Sequence, residues 1–340
     1  MNNHPDDATQ FRCFMVRDDA GRGVHGAFET LTDARLDAGD VLLRVAYSSV
    51  NYKDALAASG RGKIIRRFPC IAGIDAVGVV ERSDHPRFSP GDAVIVHNHG
   101  FGVTQHGGWA ARARAPAAWV NKLPPRMSLL DAITIGTAGY TTALAIDALE
   151  ANRLAPERGK VLVNGATGGV GSIAIDLLAQ RGYHVVAATS KLEQSDYLLA
   201  LGAKEVIASS SLPTGTRALE SALWAGAVDS LGGAPLAALT RTVQKDGVIA
   251  SIGNAAGFEL NTTVMPFILR GVRLLGINSD NDVPERALIW QRLGSDLRPR
   301  HLAAIANVQP FDALPQIIET VLAGKGRGRA VISIDPAVAG

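Results

Sequence analysis

The spacing of apolar and polar positions changes along the chain and divides it in two. From about residue 160 to 279, short apolar runs alternate with stretches of helical period. Val161, Leu162 and Val163 form a run of strand length. Val170, Ile173, Ala174, Leu177 and Leu178 follow at i, i+3, i+4, i+7 and i+8, which makes one apolar helix face. The same reading predicts strands over 160–164, 183–188, 205–208, 227–231, 248–252 and 272–277. Helical segments, for example 191–201 and 235–243, lie between most of them. Six strands with helical crossovers specify an α/β fold built on a doubly wound parallel sheet.

Before residue 129 the pattern is different. Strand-like runs at 41–47, 76–80 and 93–96 are separated by turn signals at Ala38-Gly-Asp40, Ser89-Pro-Gly-Asp92 and Gly107-Gly108. That pattern predicts a compact, mostly β domain. A further strand at 329–334 comes after the alternating region, and its simplest course is back to the first domain. No internal repeat or low-complexity stretch stands out.

A chain of 340 residues is long enough for two domains of ordinary size. Hydrophobic residues at 47% and charged residues at 19% are normal for a globular enzyme. A formal net charge of +2 gives no reason to expect nucleic acid or membrane as a main partner. There is no unbroken apolar run of transmembrane length. Residues 1–10 are polar, contain Asp6 and Asp7, and lack the regions of a signal peptide. They are expected to form a disordered leader. Two distant cysteines, Cys13 and Cys70, favour a reducing, cytoplasmic setting and exclude a four-cysteine zinc site. His97, His99 and His106 lie close in sequence among glycines without a nearby acidic or thiol ligand, which favours a surface loop over a metal site.

The most specific chemistry sits after the first strand of the alternating region. Gly165, Gly168, Gly169 and Gly171 crowd a strand-to-helix turn. There the usual G-x-G-x-x-G occurs as Ala166-x-Gly168-x-x-Gly171. Gly168 lets the backbone approach a pyrophosphate, and Gly171 lets helix and strand pack closely. The helix start supplies free N–H groups and a favourable dipole for the anion. At the end of the next strand an NAD site carries an acid for the ribose 2′-hydroxyl. Here that position is Ser190-Lys191, and no carboxylate occurs until Glu193. A hydroxyl and a cation suit a 2′-phosphate, so the expected coenzyme is NADP(H). Lys191 read alone is equally a solvated lysine at a helix start. The missing acid is the stronger signal.

These features together resemble the medium-chain dehydrogenase/reductase superfamily, in its zinc-free quinone oxidoreductase branch. The supporting segments are Ser49-Val-Asn-Tyr-Lys-Asp54, Ala72-Gly-Ile-Asp-Ala-Val-Gly78, Ser89-Pro-Gly-Asp92, Gly136-Thr-Ala-Gly-Tyr140 and the glycine turn. Three others are similar to the acrylyl-CoA reductase (NADPH) subfamily: Gly60-Arg-Gly-Lys-Ile-Ile-Arg66, Trp224-Ala-Gly-Ala-Val-Asp229 and Thr262-Thr-Val-Met-Pro-Phe-Ile-Leu-Arg270. The resemblance implies a GroES-like β domain over 11–128 and 280–340, a Rossmann NADP-binding domain over 129–279, and an active site in the cleft. It also implies a homodimer joined through the strand 272–277. Zinc alcohol dehydrogenases of the superfamily need an early cysteine and a Gly-His-Glu motif. The corresponding stretches here are Asn51-Tyr-Lys-Asp54 and Gly73-Ile-Asp75, so no metal site is expected. Without zinc, alcohol oxidation is disfavoured and reduction of an activated C=C bond fits better.

Asn51, Tyr52 and Asp54 are then the catalytic candidates. Tyr52 suits either proton donation or packing on the nicotinamide, and Asp54 could orient it or a water. The resemblance places Tyr52 and Thr137 near the nicotinamide, and Thr167, Gly168, Gly169 and Val170 at the pyrophosphate. Thr189, Ser190 and Lys191 fall at the 2′-phosphate, and Asn254, Asn278 and Ser279 near the nicotinamide ribose and amide. Arg61, Lys63, Arg66 and Arg67 are candidates for the phosphates of a CoA thioester, against the alternative of a solvated loop. The functional expectation is NADPH-dependent reduction of acrylyl-CoA. The alternatives are an NADPH:quinone oxidoreductase and a non-catalytic NADPH-binding protein.

Overall fold

A computed structural model describes residues 9–215, 217–281 and 283–339. Eight strands come first: β1 (Gln10–Asp19), β2 (Gly23–Thr32), β3 (Val41–Val50), β4 (Cys70–Ile71), β5 (Asp75–Ser83), β6 (Ala93–His97), β7 (Arg112–Ala115) and β8 (Val120–Lys122). Helix α1 (Tyr52–Ala58) follows β3, and α2 (Leu129–Ala151) follows β8. The alternating region supplies β9 (Lys160–Val163), α3 (Gly169–Gln180), β10 (His184–Thr189), α4 (Ser195–Ala200), β11 (Glu205–Ala208) and β12 (Trp224–Asp229). It continues with α5 (Gly233–Thr242), β13 (Val243–Ser251), α6 (Met265–Arg270) and β14 (Arg273–Gly276). The chain ends with α7 (Val283–Leu293), α8 (Leu302–Ile305), β15 (Ala306–Pro310), α9 (Leu314–Leu322) and β16 (Arg329–Ser333).

Two compact units result. The first holds the chain up to Thr137, Asp280–Gly294 and the part from Ala306 onward. The second holds Ala138–Ser279 and Ser295–Ile305. The sequence-based boundaries at 128/129 and 279/280 differ from these in two places. Residues 129–137, the first part of α2, lie with the β unit, and 295–305 lie with the parallel sheet. The first difference has a local cause. Gly136 sits at φ 47° and ψ −155°, so α2 is two helices merged across a kink. Of the expected leader 1–10, residues 1–8 lie outside the described residues, and Gln10 already pairs with Thr32 in the β1–β2 hairpin.

In the first unit, β3 is the central strand. It pairs antiparallel with β5, β7 and β16, within the order β15-β16-β3-β5-β6-β8. Alternation sends Val41, Leu43 and Val45 into one apolar cluster and Leu42 into another. A one-residue slip would exchange the two sets, so the register is tightly specified. The strand expected at 329–334 does return to this unit, through Ala330–Val50 and Val331–Ser49 pairs.

The second unit is a six-stranded, all-parallel sheet in the order β11-β10-β9-β12-β13-β14. Its central strands are apolar runs because both faces are covered: Val161, Leu162, Val163, Val185, Val186 and Ala187 are all fully buried. The connection from β11 to β12 has a short 3-10 turn, Ser209–Ser211, and no α-helix among its described residues. Helix α2 reaches membrane-spanning length and apolarity, but it is mostly buried in the fold and broken at Gly136.

Candidate active site

In the second unit, the turn between β9 and α3 is shaped by glycines. Gly165 adopts φ 56°, and a Cβ there would lie 2.3 Å from Ser230 Oγ. A Cβ on Gly171 would lie 2.5 Å from Gly165 O and 2.7 Å from Ala166 Cα, so helix and turn touch backbone to backbone. Gly168 is the N-cap, and a Cβ there would meet only Gly165 O, at 3.3 Å, leaving its other side open. Ser172 N–H is the first to bond back, to Gly168 O at 2.8 Å. The N–H groups of Gly169, Val170 and Gly171 therefore point out of the helix start as donors. Val170 is half-buried, whereas Ile173, Ala174, Leu177 and Leu178 are core. The apolar face of α3 thus begins one turn later than its sequence pattern suggested. Thr167 is buried in the turn.

A brace that the sequence reading missed holds this turn. Asn164 Nδ2 donates to Asp229 Oδ1, and Ser230 N–H donates to Asn164 Oδ1 at 2.8 Å. Asp229 also accepts from Gly232 N–H at 3.1 Å, which ties the ends of β9 and β12 together. Beside it, β10 runs parallel to β9 and ends at buried Thr189. Thr189 Oγ1 accepts the Lys191 N–H at 3.0 Å, which fixes the bend that exposes Ser190. Burial lowers the pKa of Lys191, with Glu193 opposing it. A bound phosphate would relieve that cost. Asn254 is exposed three residues past β13, and Asn278 and Ser279 follow β14 closely. All these positions lie at C-terminal ends of parallel strands, where ligands bind in such sheets.

In the first unit, Ser49, Asn51, Asp54, Asp75, Thr137 and Arg329 form a polar hub. Asp75 is fully buried. Its Oδ2 accepts from Ser49 Oγ at 2.7 Å, Asn51 Nδ2 at 2.9 Å and Arg329 Nη2 at 3.1 Å. Its Oδ1 accepts from the Thr137 hydroxyl and, at 3.3 Å, from the Thr137 N–H. Arg329 also donates to Asn51 Oδ1 at 2.7 Å, Ser49 Oγ at 2.9 Å and Thr134 O at 3.1 Å. Gly136 is required beside this pair, since a Cβ would lie 2.6 Å from Arg329 Nη2 and 2.8 Å from Asp75 Oδ2.

Asp54 and Asn51 both have partners within the fold. Asp54 is 1% exposed. It accepts from Asn51 N–H at 2.8 Å and Asn51 Nδ2 at 3.0 Å on one oxygen, and from Ile74 N–H at 2.9 Å on the other. It caps α1 and pins Ile74, and among the described residues no hydrogen bond links its carboxylate to the Tyr52 phenol. Burial, aided by the Asp75 charge, pushes its pKa up to about 6. Asn51 has both its amide nitrogen and its oxygen engaged within the hub. Tyr52 opens α1 and is 37% exposed. Its strand-end setting is thus the head of a helix.

Arg61, Lys63, Arg66 and Arg67 are exposed after α1. Arg67 is bound to Asp37, Nη2 to Oδ2 at 2.6 Å, and Asp37 also accepts the His106 N–H at 2.6 Å. The other three carry no side-chain ion pair among the described residues. Two of the three histidines expected on a surface loop, His97 and His106, are buried, whereas His99 is half-buried in the turn after β6. His97 is fully buried at the end of β6, with its Nε2 accepting from Trp290 Nε1 at 2.9 Å, and Arg286 Nη1 lies 2.8 Å from that atom. His106 is buried and accepts Ile71 N–H at 3.0 Å. Among the described residues, no three His, Cys, Asp or Glu side chains are grouped to hold a metal ion. The stretches that correspond to the zinc motifs do meet, Asn51 against Asp75, but the cation they enclose is the guanidinium of Arg329.

A β unit with this hub, followed by a parallel sheet with a braced glycine turn, defines an oxidoreductase that uses a nicotinamide dinucleotide. Residues 37–125 match the alcohol dehydrogenase GroES-like domain, and residues 169–290 match the zinc-binding dehydrogenase family. The chain is 45% identical over 311 residues to quinone oxidoreductase YhfP of Bacillus subtilis, covering 90% of this chain and 94% of that one. It is 39% identical over 328 residues to acrylyl-CoA reductase AcuI of Ruegeria pomeroyi, covering 96% and 99%. The crystal structure of the yhdH oxidoreductase from Salmonella enterica with NADP superposes with a TM-score of 0.91 at 40% identity, covering 95% and 100%. That of Bacillus subtilis yhfP with NAD gives 0.91 at 42% identity, covering 96% and 100%. The chain belongs to the medium-chain dehydrogenase/reductase superfamily, in the zinc-free branch of the quinone oxidoreductases and acrylyl-CoA reductases.

Proposed function

We propose that this protein reduces the C=C bond of an enoyl-CoA thioester with NADPH, converting acrylyl-CoA to propionyl-CoA. When bound, the coenzyme supplies the hydride that reaches the β-carbon. The α-carbon then needs a proton. Tyr52 is suited to give it, because its phenol is partly exposed and makes no hydrogen bond among the described residues. Ser190 and Lys191, with no acid at the end of β10, favour the 2′-phosphate of NADP(H) over the 2′-hydroxyl of NAD. The gripping residues are Thr167, Gly168, Gly169 and Val170 at the pyrophosphate, and Thr137, Asn254, Asn278 and Ser279 toward the nicotinamide end.

The observation that favours a CoA thioester is the exposed run of Arg61, Lys63 and Arg66, whose charges are not spent within the fold. Arg67 is a weaker candidate, since Asp37 already holds it. A quinone carries no phosphate and would not need the run. That alternative is supported by the YhfP relative. The free, buried thiols of Cys13 and Cys70 fit a reducing cytoplasm. A homodimer through β14 is supported by its position at the sheet edge, next to exposed Val264, Ile268 and Leu269.

Mixing the protein with NADPH and either acrylyl-CoA or a quinone, and following coenzyme absorbance, tests the reading. Turnover with the thioester and not the quinone is the expected result. Arg61→Ala combined with Arg66→Ala should raise the KM for acrylyl-CoA by roughly two- to fivefold per charge, the scale of exposed ion pairs. The kcat should be spared, and the effect should shrink at high salt. An unchanged KM at low salt would return the run to a solvated loop.

A further inference from the structure

We propose that Arg329 is a positioning residue of the active site, acting through Asp75 and Asn51 to fix Thr137 and the head of α1 that carries Tyr52. The proposal rests on the functional reading for what Tyr52 and Thr137 touch, and on the hub alone for how they are held.

Arg329 is 3% exposed and lies on the last strand of the sheet. Its Nε, Nη1 and Nη2 all donate, in three directions. One goes to the end of β3, at Ser49. One goes to the N-cap of α1, at Asn51. One goes to Thr134 O, just before the α2 kink. Asp75 takes up the same elements from the other side, adding Thr137 just after the kink. Only a planar, five-donor group can span such a set, and an ammonium cannot. Gly136 leaves no room for even a methyl group against the pair, so the guanidinium cannot drift that way.

Asp75 Oδ1 accepts from the Thr137 hydroxyl, and Asn98 Oδ1 lies 3.4 Å from the same Thr137 oxygen. Losing the cation would leave Asp54 buried beside Asp75 without Arg329, and its pKa, already raised by burial and by the Asp75 charge, would rise further. Among the described residues, Arg329 and Asp54 are charged groups that act on Asp75. His97, its cross-strand neighbour, is taken up by Trp290 and Arg286.

Arg329→Met is the direct test, with Arg329→Lys as the conservative variant. Both would be checked by thermal melting, NADPH titration and steady-state kinetics from pH 5 to 9. In the Met variant kcat should fall about 10- to 100-fold, the usual effect of misplacing reacting groups by an ångström. The acid limb of kcat should move up by a pH unit or more. The coenzyme Kd should change less than threefold, because the glycine turn is untouched. Lysine should restore the acid limb but only part of kcat, since it returns the charge and not the fork.

If the Met variant does not fold, Ser49→Ala removes one hydroxyl that bridges the pair and keeps every charge. It should lower kcat two- to tenfold at unchanged coenzyme Kd. A folded Arg329→Met or Ser49→Ala protein with wild-type kcat and an unmoved acid limb would overturn the proposal. If the wild-type protein does not reduce acrylyl-CoA, the substrate reading fails by itself. The emission of bound NADPH then tests Arg329 without any acceptor. A changed nicotinamide emission at unchanged Kd supports the role, and identical emission in all variants defeats it.

Discussion

At the end of β9 the chain leaves the N–H groups of Gly169, Val170 and Gly171 without partners and clears side chains away with glycine. Around Asp75 it does the reverse. Every charge there is buried, and the donors of Ser49, Asn51, Thr137 and Arg329 converge on it. The first region keeps its donors open, as the proposed pyrophosphate site requires. The second is complete without any ligand. A turn built for binding keeps its hydrogen-bonding capacity open, at little cost because solvent can serve it. A hub built for positioning must close every bond within itself, because an open one in a dry interior costs about 1–3 kcal/mol.

The contrast can be broken from either side. Asp75→Ala should give the largest effect on stability. It strands Arg329 without its counter-charge, and losing one partner of a buried pair costs about 3–5 kcal/mol. Urea unfolding would measure it, and a loss below about 1 kcal/mol would mean that the hub is wetter than it looks. Gly171→Val should come next. Its added atoms would meet the backbone of Gly165 and Ala166, which cannot yield. Overpacking should cost about 1–3 kcal/mol, and NADPH affinity should fall about 100-fold, or about 2.7 kcal/mol.

Ser190→Asp should act on the coenzyme alone. It places a carboxylate where a 2′-phosphate is expected, so the KM for NADPH should rise about tenfold or more, a step of about 1.4 kcal/mol, while that for NADH stays or falls. Equal KM values for the two coenzymes in the unmodified protein would defeat the assignment.

The smallest effect concerns pH. Burial, with Arg286 nearby, holds His97 neutral well below its ordinary value, and burial lowers His106 as well. Their unfolded forms bind protons that the folded forms refuse. The stability they confer is therefore full above pH about 6.5 and is lost as pH falls. Asp54 works the other way. Its pKa is raised to about 6 from 3.8, so its burden on the fold is greatest above pH 6 and fades toward pH 4. Unfolding free energy measured by urea should therefore decline only gently from pH 7 to 5, by about 1 kcal/mol per pH unit or less, against 1.36 for a single uncompensated proton. A steep fall would mean that Asp54 stays ionised.

The same contrast explains what the sequence disclosed. The glycine turn is local. Strand, turn and helix start fall within a dozen residues, and each glycine has its own steric reason. The parallel sheet was legible for a related cause, because its buried strands read as short apolar runs. The hub is not local. Asn51 and Arg329 are 278 positions apart, and Asp75 lies in the same cluster. Ser49, Asn51, Asp54 and Asp75 sat inside segments that were noticed, but their shared partner was not visible. Arg329 read as the first residue of an ordinary strand. The first hairpin, β1–β2, was missed because its exposed positions dilute the alternation. The histidine segment misled because its glycines suggested a loop, and nothing local announced Trp290 and Arg286.

The position of Arg329 near the end of the chain bears on how the protein is made. Asp54 and Asp75 emerge from the ribosome early, and their counter-charge, Arg329, comes after the whole parallel-sheet unit. At roughly 5–20 residues per second, the stretch from Thr137 to Arg329 takes on the order of 10–40 s to synthesise. For that time the nascent β unit holds two acidic groups that cannot yet be buried at their final cost. The parallel-sheet unit, nearly continuous in sequence, is free to fold first. The β unit has to wait for its last strand, so a chain cut short before Arg329 would present chaperones with an unfinished sheet.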